Sequence, residues 1–195
     1  MTEEPKKEEH NVSGDRIEKA KIWLKKPDNA ILAAILVLAI VVRLYFFFQT
    51  SGQTLWYDEA DYMSTAKHWA FGIPYMLNVH RPPLFQLLDS FGFDFGLSEM
   101  WIKFLLVLLP SIVLVWLVYL LGKEMYNEKI GLIAAFLIAV SWTLLFWSMR
   151  FQPDYLSMCF SVLAVLFMWK FWKNGGTKNV IWAGIFALIM LTRTG

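Results

Sequence analysis

Apolar residues along this chain come in long blocks. The first covers 30–48 and carries one charge, Arg43. A second covers about 104–121 and a third 130–149, both without a charged residue. A fourth covers about 155–172, and a fifth opens near 179 and reaches the last residue, Gly195. A helix needs roughly 20 apolar residues to cross a bilayer, and the first four blocks approach that length. The fifth stays apolar only to Thr192 and then meets Arg193. The pattern predicts an all-α polytopic membrane protein with about five transmembrane helices, the last cut short. The chain then reads as the N-terminal part of a longer protein. Pro110, inside the second block, predicts a kink.

Two stretches break the pattern. Residues 1–29 are polar and read as a cytoplasmic tail, ending in a short amphipathic helix around 17–25. The tail lacks the apolar core and small-residue cleavage site of a secretory signal. Asn11-Val12-Ser13 fits a glycosylation pattern, but on the wrong side of the membrane, so it reads as chance. Residues 49–103 are too rich in Trp, Tyr, Phe and Leu for a solvated linker. They predict two helices lying in the interface plane. In the first, Tyr62, Ala66, Trp69 and Ala70 share one apolar face, and Gly72-Ile73-Pro74 ends it. The second opens after Pro82-Pro83, carries Leu84, Phe85, Leu87, Leu88 and Phe91, and stops at Gly92 and Gly96.

The basic residues set the orientation. Lys21, Lys25 and Lys26 precede the first block, Lys123 and Lys129 separate the second from the third, and Lys170, Lys173 and Lys178 separate the fourth from the fifth. The positive-inside rule then places the N-terminus in the cytoplasm. The long loop 49–103 and a short loop near 148–154 fall together on the outer side. Arg43 reads as a structural residue that snorkels toward that side. The short loops and missing signal lean toward a prokaryotic cell membrane. Composition agrees with the class: 57% of residues are hydrophobic and 17% charged, below the quarter typical of soluble domains. The net charge of +2 adds little. The single cysteine, Cys159, excludes a disulfide framework or cysteine zinc site within the chain and reads as an apolar filler.

The candidate chemistry sits on the predicted outer side. The long loop opens with Trp56-Tyr57-Asp58-Glu59-Ala60-Asp61-Tyr62. A helix N-terminus favours carboxylates, so a capping role accounts for acids here but not for the aromatic wrapping. The short loop holds Arg150, Pro153 and Asp154, which on the plain reading close a turn by a salt bridge. A third segment is His80-Arg81-Pro82-Pro83-Leu84. Acids beside arginines at the hydrocarbon edge suggest an anionic lipid headgroup and a nucleophile that must lose a proton. His68 and His80 lack zinc-site spacing and read as surface or hydrogen-bonding residues.

At these residues the chain resembles the N-terminal part of GT-C glycosyltransferases, in the branch of the protein O-mannosyltransferases and lipid A aminoarabinose transferases. Four features match in order: the acid pair in Trp56-Tyr57-Asp58-Glu59-Ala60, Arg81-Pro82-Pro83-Leu84, Arg150-Phe151 with Asp154, and Leu191-Thr192-Arg193-Thr194-Gly195. The resemblance covers about 30–195. It implies a partial GT-C fold and transfer of a sugar, with inversion, from a polyprenyl-phosphate donor to a hydroxyl on a protein, lipid or glycan. By resemblance Asp58 is the catalytic acid of the first loop, with Glu59 beside it and Asp154 in a second acidic loop. Arg81, Arg150 and Arg193 are the donor-phosphate candidates, with Asp61 and His80 as accessories. Many members carry Lys where this chain has Arg81 and Arg193; the charge is kept, and Arg suits bidentate phosphate contact. Members are longer, so these residues alone are expected to be inactive. The branch requires no cofactor. Should a divalent cation be used, Asp58, Glu59 and Asp154 are hard ligands suited to Mg²⁺ or Mn²⁺. The partners implied are the donor, the acceptor and the bilayer, with no nucleic acid. The competing reading is a transporter or a non-catalytic membrane subunit, which predicts broken helices and polar groups at mid-depth.

Overall fold

The computed structural model describes residues 18, 22–75, 81 and 83–190. Every regular element among them is helical. Helix α1 is Pro27–Gln49, with proline in the first turn, where its missing N–H costs nothing. It therefore begins inside the stretch read as tail. The loop helices follow, α2 over Tyr57–Phe71 and α3 over Pro83–Asp94. Next come α4 over Glu99–Lys103, a π-helical turn over Phe104–Leu108 and α5 over Leu109–Met125. Helices α6, α7, α8 and α9 cover Glu128–Val140, Trp142–Ser148, Asp154–Asn174 and Thr177–Met190. Three helices are long and apolar enough to cross a membrane: α1, the continuous Glu99–Met125, and α8. There are four if the bent pair α6 and α7 is one span. Helix α9 is shorter on the described residues, and most of the N-terminal tail lies outside them.

Two apolar blocks behave differently from simple rods. Pro110 does not break its helix. Its ring conflicts with the carbonyl four residues back, Leu106, and Leu106 lies in the π-helical turn. The wider turn accommodates the proline, so Glu99–Met125 stays one helix. The block 130–149, by contrast, is divided at Ser141 into α6 and α7, bent by 58°.

Helices α5 and α6 approach closely at two glycines. A Cβ on Gly131 would lie 2.6 Å from the Tyr119 carbonyl, and one on Gly122 2.9 Å from Gly131 Cα. Such small residues let helix backbones meet in lipid. Beside this contact, Leu32, Ile35 and Ala39 of α1 pack with Val115, Tyr119, Leu132 and Ala135. A second cluster joins the loop helices to the bundle: Tyr62, Met63 and Ala66 of α2 and Phe85 of α3 pack with Ile102, Leu114, Phe151 and Tyr155. Cys159 belongs to it, buried as a filler, with its thiol 3.2 Å from the Pro110 carbonyl.

The apolar stripes of the loop helices need correction. Tyr62 and Ala66 are buried, but Trp69 is exposed. In α3, Leu87 and Phe91 face outward, while Gln86, Asp89 and Ser90 are buried beside Phe85 and Phe93. Lipid is as apolar as leucine, so an outward apolar face has little reason to turn inward.

Candidate functional site

Asp58 and Glu59, adjacent in sequence, point to different surroundings. Helix α2 starts after Trp56, whose extended backbone (φ −74°, ψ 167°) sets both acids in the first turn. Glu59 is 2% exposed. Its Oε2 accepts from the Trp56 amide at 2.7 Å and from Arg150 Nη2 at 2.6 Å. Its Oε1 accepts from the Phe151 amide at 2.7 Å. The Arg150 guanidinium lies 3.6 Å from the centre of the Trp56 ring. One carboxylate thus caps its own helix and clasps the loop between α7 and α8, across 91 positions of sequence.

Asp58 faces outward, its side chain 46% exposed. Arg81 Nη2 donates to Asp58 Oδ1, and Arg81 Nε donates to Asp61 Oδ2 at 3.3 Å. The Tyr75 hydroxyl donates to the other Asp61 oxygen at 2.7 Å. The Arg81 guanidinium also stands 5.2 Å from the Tyr62 ring centre. Asp58, Asp61 and Tyr62 share a helix face by their spacing. Gly72, at φ 66°, ends α2 in the left-handed conformation that suits glycine, and His68 Nδ1 lies 2.8 Å from the Ile73 carbonyl. This turn brings Tyr75 back against the helix it has just left. Burial works against the Arg81 charge, but Tyr62 and Asp58 outweigh it and hold its pKa above the ordinary value. The hydrogen bond to Asp61 pushes Tyr75 up to about 12. Two carboxylates around one guanidinium give this cluster a net charge of about −1 when both acids are ionised.

With that geometry in view, the comparison with known proteins is informative. Residues 80–194 match the family of dolichyl-phosphate-mannose-protein mannosyltransferases. That is more than half of the chain. The chain belongs to this family. It is thereby a membrane glycosyltransferase of the mannosyltransferase type and a multi-pass membrane protein of the GT-C class. No curated protein matches it. The family match covers Arg81 and Arg150 but begins after α2, so Asp58, Glu59 and Asp61 fall outside it. They are tied to the mannosyltransferase region by contact, through Arg81 to Asp58 and Arg150 to Glu59.

Asp154 is buried in the first turn of α8, within electrostatic reach of Tyr62. His80 and Arg193 lie outside the described residues. No three His, Cys, Asp or Glu side chains among the described residues gather as a metal-binding set, so Asp58, Glu59 and Asp154 do not form one. The Glu59 oxygens are already taken up by the three donors named above.

The mannosyltransferase bundle also uses Arg43, read from the sequence as structural, together with Tyr75 and Tyr155, to which the sequence reading gave no role. Arg43 does not snorkel. It is fully buried and donates to the carbonyls of Ala139 at 3.1 Å and Ile138 at 3.2 Å. Those carbonyls belong to the last turn of α6, which the stop at Ser141 leaves without helical partners. The Tyr155 hydroxyl donates to the Leu144 carbonyl beyond the bend. The bend leads α7 into Arg150 and Phe151, the residues that clasp Glu59. An arginine alone in an apolar helix must find carbonyls or acids; that was the available signal, but not which carbonyls. Tyr75 offered no signal beyond its aromatic neighbourhood.

Proposed function

We propose that this protein transfers a sugar from a polyprenyl-phosphate donor to a hydroxyl acceptor at the loop end of the helix bundle, with inversion at sugar C1. The observation that carries this reading is Asp58. It is a half-exposed carboxylate at the start of a loop helix, held by Arg81, in a chain of the mannosyltransferase family. In the proposed step Asp58 accepts the proton of the acceptor hydroxyl. The hydroxyl oxygen bonds to C1, the C1–O bond to phosphate breaks, and its electron pair stays on the lipid phosphate. Arg81, fixed by Asp61 and Tyr75, orients Asp58. Glu59 and Arg150 hold the start of α2 against the bundle.

The broken helix at Ser141 and the buried Arg43 are features a transport pathway also uses. Here the carbonyls freed at the break are held by Arg43, which supports a structural role for both. The test is transfer of label from a polyprenyl-phosphate sugar by the full-length protein in vesicles. Asp58→Asn is expected to lower the rate by a factor on the order of 10² to 10⁴ with unchanged folding. A variant that keeps the wild-type rate would overturn the assignment.

A further inference from the structure

The cations at the loop end differ in whether their charge is already used. Arg81 lies on Asp58 and Asp61, Arg150 on Glu59, and Lys67 on Glu99 at 2.5 Å. Lys103 differs. It follows Glu99 by four positions, the spacing of a helical ion pair, yet Glu99 turns to Lys67 instead. Among the described residues Lys103 makes no ion pair within 4.0 Å. Its ammonium stands 5.7 Å from the centre of the Phe47 ring and lines a cavity of about 240 Å³ with Ser51, Gln53, Met100, Phe151 and Glu99, whose own charge is met by Lys67.

A second cavity of about 460 Å³ shares Gln53 and is lined by Thr50, Thr54 and Arg150. The strap between α1 and α2 therefore has a cation behind it on either side. Arg150 is 4% exposed, and its Nε has no hydrogen-bond partner among the described residues. Lys103 also lies within electrostatic reach of Glu59 and Arg150. Arg81, by contrast, already lies between Asp58 and Asp61, so an anion brought to this end of the molecule meets the Lys103 charge instead.

We propose that the Lys103 cavity seats the phosphate of the lipid-linked donor, and that Arg81 serves Asp58 instead. This rests on the donor class proposed above. The donor is a phosphodiester with one negative charge. When the C1–O bond breaks, the leaving lipid phosphate gains a second negative charge. A lysine beside it then binds the product more tightly than the donor and stabilises the charge developing between them. Gln53 can donate from its amide, and the exposed apolar side chains of Leu55 and Met100 in the cavity lining suit a lipid tail.

The experiment uses the full-length protein reconstituted in vesicles. Lys103→Gln is expected to weaken inhibition by polyprenyl monophosphate about tenfold, the worth of one charge-assisted contact, and to raise the donor KM by less. Lys103→Arg should restore most of the inhibition, which a merely structural lysine has no reason to do. An unchanged inhibition constant in Lys103→Gln, with wild-type thermal stability, overturns the assignment and leaves the glycosyltransferase reading intact. No transfer by the wild type from any polyprenyl-phosphate sugar sinks that reading instead. Direct binding of a short-chain isoprenyl monophosphate then still reports on the cavity: loss in Lys103→Gln keeps a lipid-phosphate seat, and no change removes it. Inorganic phosphate competing equally well assigns the seat to the headgroup alone. Phosphatidylglycerol competing as well as the isoprenyl phosphate makes it a site for bulk membrane lipid and overturns the donor assignment.

Discussion

Asp58 and Glu59 sit in one helix turn and each pairs with an arginine, Asp58 with Arg81 and Glu59 with Arg150, yet their surroundings give them different work. The Glu59–Arg150 pair is almost wholly buried, and backbone amides fill the remaining positions of the carboxylate. The Asp58–Arg81 pair is open to solvent on one side. An exposed pair contributes little to stability, and its openness gives a reacting hydroxyl access to Asp58. A buried pair is costly to break because the remaining charge has no water. The difference separates a group that can react from a group that holds.

Breaking the buried pair gives the largest expected effect. Glu59→Ala strands the Arg150 guanidinium and two amides, and should cost about 3–5 kcal/mol. Thermal unfolding of the purified protein would show this as a large drop in midpoint. Asp58→Ala should cost at most about 1 kcal/mol. Equal losses for the two variants would erase the distinction. A double-mutant cycle over Glu59 and Arg150 would sharpen it, since only a direct pair yields a coupling energy.

The next effect tests what places the buried pair. Arg43→Met keeps the volume roughly constant but leaves the Ile138 and Ala139 carbonyls without a donor. Each orphaned carbonyl should cost about 1–3 kcal/mol. Because the bend at Ser141 leads to Arg150, this variant should also loosen the Glu59 clasp, seen as faster hydrogen exchange at the Phe151 amide. A loss of stability without that change would separate the bend from the clasp.

These pairs also show what could be read in advance. The end of α2 at Gly72 and the start of α3 at Pro83 follow from local residue chemistry and appear where that chemistry puts them, whereas the capping role read for Asp58 falls to Glu59, because α2 already starts after Trp56. The assembly of Arg81 with Asp58 on one face followed from topology and hydropathy. Which acid faced inward did not. Asp58 and Glu59 both fit a helix N-terminus, and only Arg150, far along the chain, decides between them. The break at Ser141 was hidden for a similar reason. No proline or glycine marks it, apolar residues continue on both sides, and the side chain that satisfies its freed carbonyls, Arg43, lies on another helix. The polar side of α3 was misread because hydrophobic burial loses its direction where lipid is the solvent.

That misread face gives a third test, opposite in sign to the first. Asp89 is fully buried, and neither carboxylate oxygen has a hydrogen-bond partner among the described residues. Burial holds its pKa well above the ordinary value. The folded protein therefore keeps a proton that the unfolded chain releases as pH rises through about 4. Stability from this group is full below that value and falls as pH climbs toward the raised pKa. Asp89→Asn should thus stabilise the protein at pH 7 and do little at pH 4. A carboxylate that Asn destabilises at pH 7, as expected for Glu59→Gln, would belong with the buried pair instead.

The smallest effect concerns the exposed pair. Tyr75 donates to Asp61, and its pKa is pushed up to about 12. A raised pKa means a contribution that is complete below the unfolded tyrosine value, about 10, and is lost as pH rises through about 12. At neutral pH, then, Tyr75→Phe removes one hydrogen bond at a half-open site and should barely shift the unfolding midpoint. Its consequence should lie in Arg81, which loses a neighbour that fixes Asp61. Ultraviolet titration of the phenols would show the component near 12 disappear in Tyr75→Phe. Transfer by the full-length variant should fall a few-fold while its stability stays near wild type. A loss of stability larger than that of Asp58→Ala would mean that the open cluster also holds the fold, and the division of labour between the two acids would have to be redrawn.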